Sequence, residues 1–447
     1  MKFPRITISG ARGIVGKDLT VENAQRMAWA YAQYIGGGDV VLGRDARPTG
    51  ELIKSAVISG LLAGGARVID IGMVPTPTVG IMIRKLNAKG GIEITASHNP
   101  VPWNALKMYS ASGSFPEQSF VDGYIAFLNQ GDLKHVTWEH VQELTNDNSA
   151  LETHIQLVEK AIDFAPIQQK NFTVLVDGCR SVGGIFLPEL LRRMRCTVIE
   201  HDCQPDGKFT RGLEPVPENL TEVSKRVLAE NADIGLIADP DADRMAIISE
   251  EGRAIGEEFT LALAAYGALQ KHQGGVVVTN LSTSMLTEFA AKQSGGSVIR
   301  TAIGEAHVAK GIIEHHAIIG GEGNGGVMFP AVHNGRDTMT AAALILLLLA
   351  ETGKKVSELV KDFPAYVILK DKITMDLDRA NQRLETLATM DHDATVDTQD
   401  GVKLIWDNAW LHLRCSNTEP IVRIIAEAEG EDKTAMLIQR GRELMLT

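Results

Sequence analysis

Cysteine is scarce in this 447-residue chain: Cys179, Cys196, Cys203 and Cys415 make no CxxC pair and no zinc-ligand spacing. Four in so long a chain cannot be a disulfide scaffold, and a reducing compartment is the expectation. Long apolar runs are missing too. The longest, Ala341–Ala350, falls far short of the ~20 residues a membrane-spanning helix needs, and the opening MKFPRITISG has no apolar signal-peptide core. Nor is there a cationic excess, because 44 Lys+Arg face 56 Asp+Glu for a net charge of −12. That excludes a general nucleic-acid binder and a polybasic membrane binder, since both need a large cationic surface. A small anionic substrate is not excluded, because it needs only local Arg and Lys. These absences describe a globular protein expected in the cytoplasm.

What is present is a repeat. Asp39–Leu42, Phe172–Val176 and Gly275–Val278 are short β-branched runs, each followed by a small polar loop. A helical stretch comes next (51–63, 185–194 and 285–293), then a second apolar run at 67–70, 197–200 and 297–300. Each copy has the form of a βαβ unit, and in the first helix Ile53, Ala56, Val57 and Leu61 fall on one face. The copies are too far apart for a solenoid and imply three similar α/β domains with mixed, mainly parallel sheets. The last stretch reads as strands 366–369, 404–406, 410–413 and 421–426 with a closing helix 433–445, an α+β domain. Boundaries are expected at 1–150, 151–252, 253–362 and 363–447, with the four domains around a central cleft.

Four loops carry chemistry. Thr95-Ala-Ser-His-Asn-Pro100 follows an alternating strand and presents Ser97 as a candidate nucleophile or phosphate carrier. His98 stands beside it as base or hydrogen-bond partner, and Lys107 is close enough in sequence to meet the same site. Asp239-Pro-Asp-Ala-Asp-Arg244 also follows a strand, and in an extended segment Asp239, Asp241 and Asp243 point the same way. Three converging carboxylates need a hard cation, for which Mg²⁺ is the natural fit. An EF-hand is rejected because Arg244 stands where that loop needs glycine and Pro240 stiffens it. Since like charges repel, Asp241→Asn is expected to abolish activity and leave the fold intact.

The third loop, Gly320-Gly-Glu-Gly-Asn-Gly-Gly326, contains a formal GxGxxG, but Val327–Pro330 does not continue as a helix, so the dinucleotide reading fails. Glu322 and Asn324 are instead candidates for a polar ligand's hydroxyls. The fourth, Arg414-Cys-Ser-Asn-Thr-Glu-Pro420, offers an anion cradle from Arg414, Ser416, Asn417 and Thr418, to which Arg423 adds a second cation. A fifth element, Ser9–Gly13, puts Arg12 on an approachable loop.

With TASHNP, DPDADR, the glycine-rich loop and SNTEP in this order over essentially the whole chain, the sequence resembles the α-D-phosphohexomutases. The resemblance implies a phosphohexomutase that interconverts 6-phospho and 1-phospho hexoses through a phosphoserine and a bisphosphorylated sugar. On that resemblance Ser97 carries the phosphoryl group and, with Asp239, Asp241 and Asp243, binds one Mg²⁺ per chain. Arg244 neutralises charge beside the metal, while Arg12, His98 and Lys107 serve proton transfer and orientation. Glu322 holds sugar hydroxyls, and Arg414, Ser416, Asn417 and Thr418 hold the non-reacting phosphate. A bisphosphorylated hexose is the implied activator and a phosphorylated hexose the partner.

The sugar loop departs from the GEMSGH of many members, with Asn324 and Gly326 at the Ser and His positions. NGxK becomes Asn104-Ala-Leu-Lys107, and DGDGDR becomes DPDADR. Glucosamine phosphate is the expected sugar, with phosphomannomutase or phosphoglucomutase activity the alternative. A metal-dependent sugar phosphatase and a non-catalytic sugar-phosphate sensor are the readings of another class.

Overall fold

The computed structural model describes residues 3–416 and 420–446. The chain separates into two compact units, one built from residues up to Thr260 together with Gly325–Ser357, the other from Leu261–Asn324 and Glu358 onward.

In the first unit a seven-stranded sheet has the order Ile6–Thr7, Gly10–Ile14, Trp103–Tyr109, Gly90–Ile94, Gly38–Arg44, Ala66–Met73, Leu144–Asn146. Its centre is parallel: Gly38–Arg44 pairs in parallel with both Gly90–Ile94 and Ala66–Met73. Between these strands runs the helix Gly50–Ala63, which buries Ile53, Ala56, Val57 and Leu61 as their spacing requires. It packs against Val21–Tyr34, a helix started by a reciprocal cap between Thr20 and Asn23. The two backbones approach so closely that a Cβ on Gly60 would lie 2.1 Å from the Gln25 carbonyl oxygen. Only glycine fits there.

The unit's second sheet has the order Met245–Ser249, Ile234–Ala238, Thr173–Asp177, Thr197–His201, parallel except for the Met245–Ser249 edge. The apolar run Ala341–Ala350 lies inside the helix Thr338–Thr352 and is buried along its length. An all-round apolar helix of this length belongs in a core. Its N-cap, Asp337, also accepts from buried His154 Nε2 at 3.0 Å, while His154 Nδ1 meets Thr78 Oγ1 at 2.9 Å. Among the described residues no helix is long and apolar enough to cross a membrane.

In the second unit Ser297–Thr301, Val276–Asn280 and Ile319–Glu322 lie side by side in parallel. The C-terminal sheet is antiparallel throughout, in the order Tyr366–Thr374, Ile421–Glu429, Ala409–Cys415, Val402–Trp406, Thr395–Asp397. Its helices are Glu431–Leu446 and Leu377–Thr389. The latter, absent from the sequence reading, buries only Ala380, Leu384 and Leu387. The three expected βαβ units and the α+β C-terminal region are all present.

Candidate active site

Ser97 sits three residues past the strand Gly90–Ile94 with a backbone φ of +49°, a left-handed conformation that a serine adopts only when its surroundings impose it. Arg47 does much of the imposing. Its guanidinium donates to the carbonyls of Ser97 at 2.5 Å, Asn99 at 2.6 Å, Trp103 at 3.0 Å and Pro100 at 3.1 Å. Asp45, fully buried, pairs with Arg47 at 3.2 Å and accepts from Thr95 Oγ1 at 2.5 Å, while Thr95 Oγ1 in turn accepts from Ser97 N. Burial raises the Asp45 carboxyl to about 6 against the pull of Arg47. The serine turn is thus a built structure.

Ser97 Oγ lies 3.0 Å from Asp239 Oδ2 and 3.2 Å from His98 Nδ1. Burial, with Arg244 and Arg12 nearby, pushes His98 down to about 3, so its imidazole is neutral near pH 7. That state suits a hydrogen-bond partner better than a strong base.

Asp239, Asp241 and Asp243 are all fully buried and offer carboxylate oxygens within 4.8 Å of one another. They converge by a different route from the expected strand alternation. The segment is a turn with Ala242 at φ +49°, wrapped so that Asp239 Oδ1 accepts from the amides of Asp243 and Arg244. Burial and the charges of Asp241 and Asp243 push Asp239 well above the usual carboxylate range. Asp241 behaves oppositely: burial would raise it, but Lys107 and the hydrogen bonds it accepts hold it below.

Lys107 donates to Asp241 Oδ2 at 2.5 Å and to Thr76 Oγ1 at 2.9 Å, with Glu93 Oε2 at 3.7 Å. Burial opposes its charge, yet Asp241 and Glu93 outweigh that and keep the ammonium above its usual range. Lys107 is therefore a fixed cation, and the metal-site aspartates do not simply repel one another. Against the expectation that Asp241→Asn would spare the fold stands this contact, because the substitution would strip a buried lysine of its closest anion.

On the remaining sides, Arg336 Nη2 donates to Asp243 Oδ2 at 2.5 Å and Arg244 Nη1 to Glu214 Oε1 at 3.3 Å. Arg12 lies on the strand Gly10–Ile14, not on a loop, and its Nη1 donates to Asn99 Oδ1 at 2.8 Å. Two oxygens, Asp241 Oδ1 and Asp243 Oδ1, are buried with no hydrogen-bond partner. Buried carboxylate oxygens without a hydrogen-bond donor, in a cluster whose carboxylates come within 4.8 Å of one another, fit a hard divalent cation such as Mg²⁺.

In the second unit Glu322 ends the strand Ile319–Glu322, and its Oε1 accepts from Asn280 Nδ2 at 2.8 Å. Asn280 Oδ1 accepts from Ser282 N and Thr283 Oγ1, and Thr283 Oγ1 accepts from Gly323 N. Asn324 Nδ2 stands 3.5 Å from Glu322 Oε2, at the limit of a hydrogen bond. Arg414 and Arg423 are direct cross-strand partners and so share one sheet face, and Ser416 N bonds the Ile421 carbonyl. Asn417 and Thr418 lie outside the described residues.

The first unit therefore gathers Ser97, His98, Lys107, Arg12, Arg244 and the three aspartates. Sequence reading missed Arg47, Thr76, Glu93, Glu214 and Arg336 here. Of these only Arg47 had a signal, in its small polar loop after a buried strand.

Four successive segments match the phosphoglucomutase/phosphomannomutase alpha/beta/alpha domain I over residues 6–131, domain II over 152–252, domain III over 256–366 and the C-terminal domain over 366–442. The chain belongs to this family of phosphosugar mutases, isomerases that transfer a phosphoryl group within a sugar phosphate. It is 37% identical to the "Probable phosphoglucosamine mutase" of Methanopyrus kandleri, covering 96% of this chain and 95% of that protein. With the "Phosphoglucomutase/phosphomannomutase" of Thermococcus kodakarensis it shares 36% identity over 98% of this chain and 97% of the relative. Among solved structures, a phosphoglucomutase/phosphomannomutase family protein of Burkholderia thailandensis superposes with a TM-score of 0.86 at 24% identity, over 99% of this chain and 98% of that one. That last likeness is one of fold.

Proposed function

We propose that the chain interconverts the 6-phospho and 1-phospho forms of glucosamine, with Ser97 as the phosphate carrier. The observation that carries this reading is Ser97 Oγ held 3.0 Å from Asp239 in a strained turn beside two orphaned carboxylate oxygens. Ser97, Asp239, Asp241 and Asp243 would hold one Mg²⁺, which when bound supplies charge neutralisation for the transferring phosphoryl group. The Oγ–P bond of phosphorylated Ser97 breaks as a sugar hydroxyl bonds the phosphorus, and the proton of that hydroxyl passes to the freed Ser97 Oγ. In the return step Ser97 Oγ bonds the phosphorus of the other phosphate and its proton passes to the sugar oxygen that leaves, so the cycle balances.

In this cycle Lys107 and Arg244 hold fixed positive charge near the aspartates, and Arg12 and His98 orient the serine loop. Glu322 and Asn324 take sugar hydroxyls. Arg414 and Arg423, with Ser416, Asn417 and Thr418, take the phosphate that does not react. A bisphosphorylated hexose would prime Ser97. The four loops then fall one to each of the domains 1–150, 151–252, 253–362 and 363–447.

The amino sugar is favoured because several relatives carry the phosphoglucosamine mutase name, including those of Methanopyrus kandleri and Pyrococcus abyssi. The Thermococcus kodakarensis relative named for glucose and mannose phosphates is nearly as similar, so kinetics must decide. Turnover of glucosamine 6-phosphate, mannose 1-phosphate and glucose 1-phosphate should favour the first in kcat/KM. If the amino sugar were ~100-fold worse than another, a deficit of about 2.7 kcal/mol in transition-state binding, the choice of sugar is wrong.

A further inference from the structure

Arg414 does not stand alone on its strand. Its Nε donates to Asp400 Oδ1 at 3.2 Å, and its Nη2 forms an ion pair with Oδ2 of the same carboxylate, also at 3.2 Å. The same Oδ2 accepts from the amide of Ile303 at 3.1 Å. Ile303 precedes Gly304 and the helix Glu305–Glu314, which packs against the strands of the parallel sheet. Asp400 is thus shared by a guanidinium of the C-terminal sheet and a backbone amide of the neighbouring α/β fold, all within the second unit.

The turn around Asp400 is built for this. Gly401 has φ +80°, and a Cβ there would lie 2.2 Å from the Leu413 carbonyl oxygen and 2.9 Å from Arg414 Cβ. The turn therefore lies directly on the backbone that carries Arg414. Buried His412 fixes it from the other side, with Nε2 at 2.6 Å from the Asp400 carbonyl and Nδ1 at 2.8 Å from Ser282 Oγ. Ser282 belongs to the loop whose Asn280 orients Glu322.

We propose that Asp400 is a positioning residue, which aims Arg414 at the phosphate of the bound sugar and ties that aim to the Ile303 turn. The inference rests on the reading of Arg414 as a phosphate ligand. A guanidinium held on its Nε–Nη2 edge is restricted in χ angles and presents its remaining edge in a defined direction, so less freedom is lost when phosphate arrives.

The test is steady-state kinetics on the full chain for Asp400→Asn, Arg414→Ala and the double variant, with inorganic phosphate as competitive inhibitor. Asp400→Asn should raise KM for the hexose phosphate and Ki for inorganic phosphate by about tenfold or more, with kcat within about threefold of the parent. The double variant should be no worse than Arg414→Ala alone, because the two residues act as one. Arg414→Lys keeps the charge, loses the Nε bond to Asp400 and leaves Asp400 on Ile303, so it should reproduce the KM effect even if Asp400→Asn folds poorly. Unchanged KM and Ki in Asp400→Asn while Arg414→Ala raises both would overturn the proposal and spare the reading of Arg414. Independent, multiplying effects would do the same. If Arg414→Ala itself leaves KM unchanged, the reading of Arg414 fails and Asp400's role falls with it.

Discussion

Ser97 Oγ and Asp239 Oδ2, separated by 142 residues of chain, lie 3.0 Å apart, and neither is exposed. The serine therefore meets the aspartate cluster in the protein itself, with its hydroxyl already directed at the oxygens expected to hold a cation. Ser97→Ala removes only the hydroxyl and leaves the turn, which is held through backbone carbonyls by Arg47. Turnover of every hexose phosphate should vanish while the unfolding free energy stays within about 1 kcal/mol of the parent. Intact mass after incubation with a bisphosphorylated hexose should show added phosphate on the parent chain and none on the variant. Phosphate retained by the variant would remove Ser97 from its role.

Asp239 and Asp241 should respond in opposite ways to neutralisation. Burial and its neighbours already disfavour the Asp239 anion without metal, so Asp239→Asn should cost the metal-free protein almost nothing. Asp241 holds buried Lys107, and Asp241→Asn should lose about 3 kcal/mol, because the other carboxyl near the ammonium, Glu93 at 3.7 Å, is pushed by burial up to about 8 and is largely neutral at pH 7. Added Mg²⁺ should raise the parent's unfolding midpoint through binding linkage and leave both variants unmoved. Thermal unfolding with and without Mg²⁺ measures both effects, and equal cost for the two substitutions would refute the asymmetry.

Arg47 is the next weak point, for a reason invisible in the sequence. One buried side chain satisfies four carbonyls of the loop that carries Ser97. A lysine ammonium has three donors on one point and cannot reproduce the planar fork. Arg47→Lys should lose on the order of 3 kcal/mol, from carbonyls left without donors. Because Ser97 sits at a strained φ, the variant should also lose kcat beyond what its stability explains. Urea unfolding beside activity at low temperature separates the two, and full activity in the variant would show that the strain needs no Arg47.

The contrast between Ser97 and Arg47 marks how far the sequence could be read. Val40, Val41 and Leu42, or Val276, Val277 and Val278, announce buried parallel strands because nothing else in their neighbourhood is so uniformly apolar. Ser97, the three aspartates and Glu322 are legible because each lies at a strand end in a short loop with little else to do. The helix Leu377–Thr389 escaped notice since only Ala380, Leu384 and Leu387 mark its buried face. Thr76, Arg336 and Glu93 join the aspartates only through long-range folding, and no local pattern encodes such a meeting. Alternate spacing of the aspartates suggests a strand, whereas the left-handed Ala242 makes a turn that aims the same side chains together.

Lys403 offers a pH test far from the aspartates. It is 1% exposed, donates to the Leu281 carbonyl and lies 4.3 Å from the centre of the Trp410 ring. Burial, with Arg300 nearby, pushes it down to about 6, while in the unfolded chain it titrates near 10.5. Between these values the unfolded chain holds the extra proton, so stability rises with pH through that window. From pH 6.5 to 9 this one group contributes a gain of about 3 kcal/mol. Lys403→Met keeps much of the volume and cannot titrate, so that share of the gain should disappear in the variant. Urea unfolding at both pH values, followed by tryptophan fluorescence, measures the difference. Parallel pH profiles for parent and variant would mean that Trp410 and the Leu281 carbonyl keep Lys403 charged inside the fold.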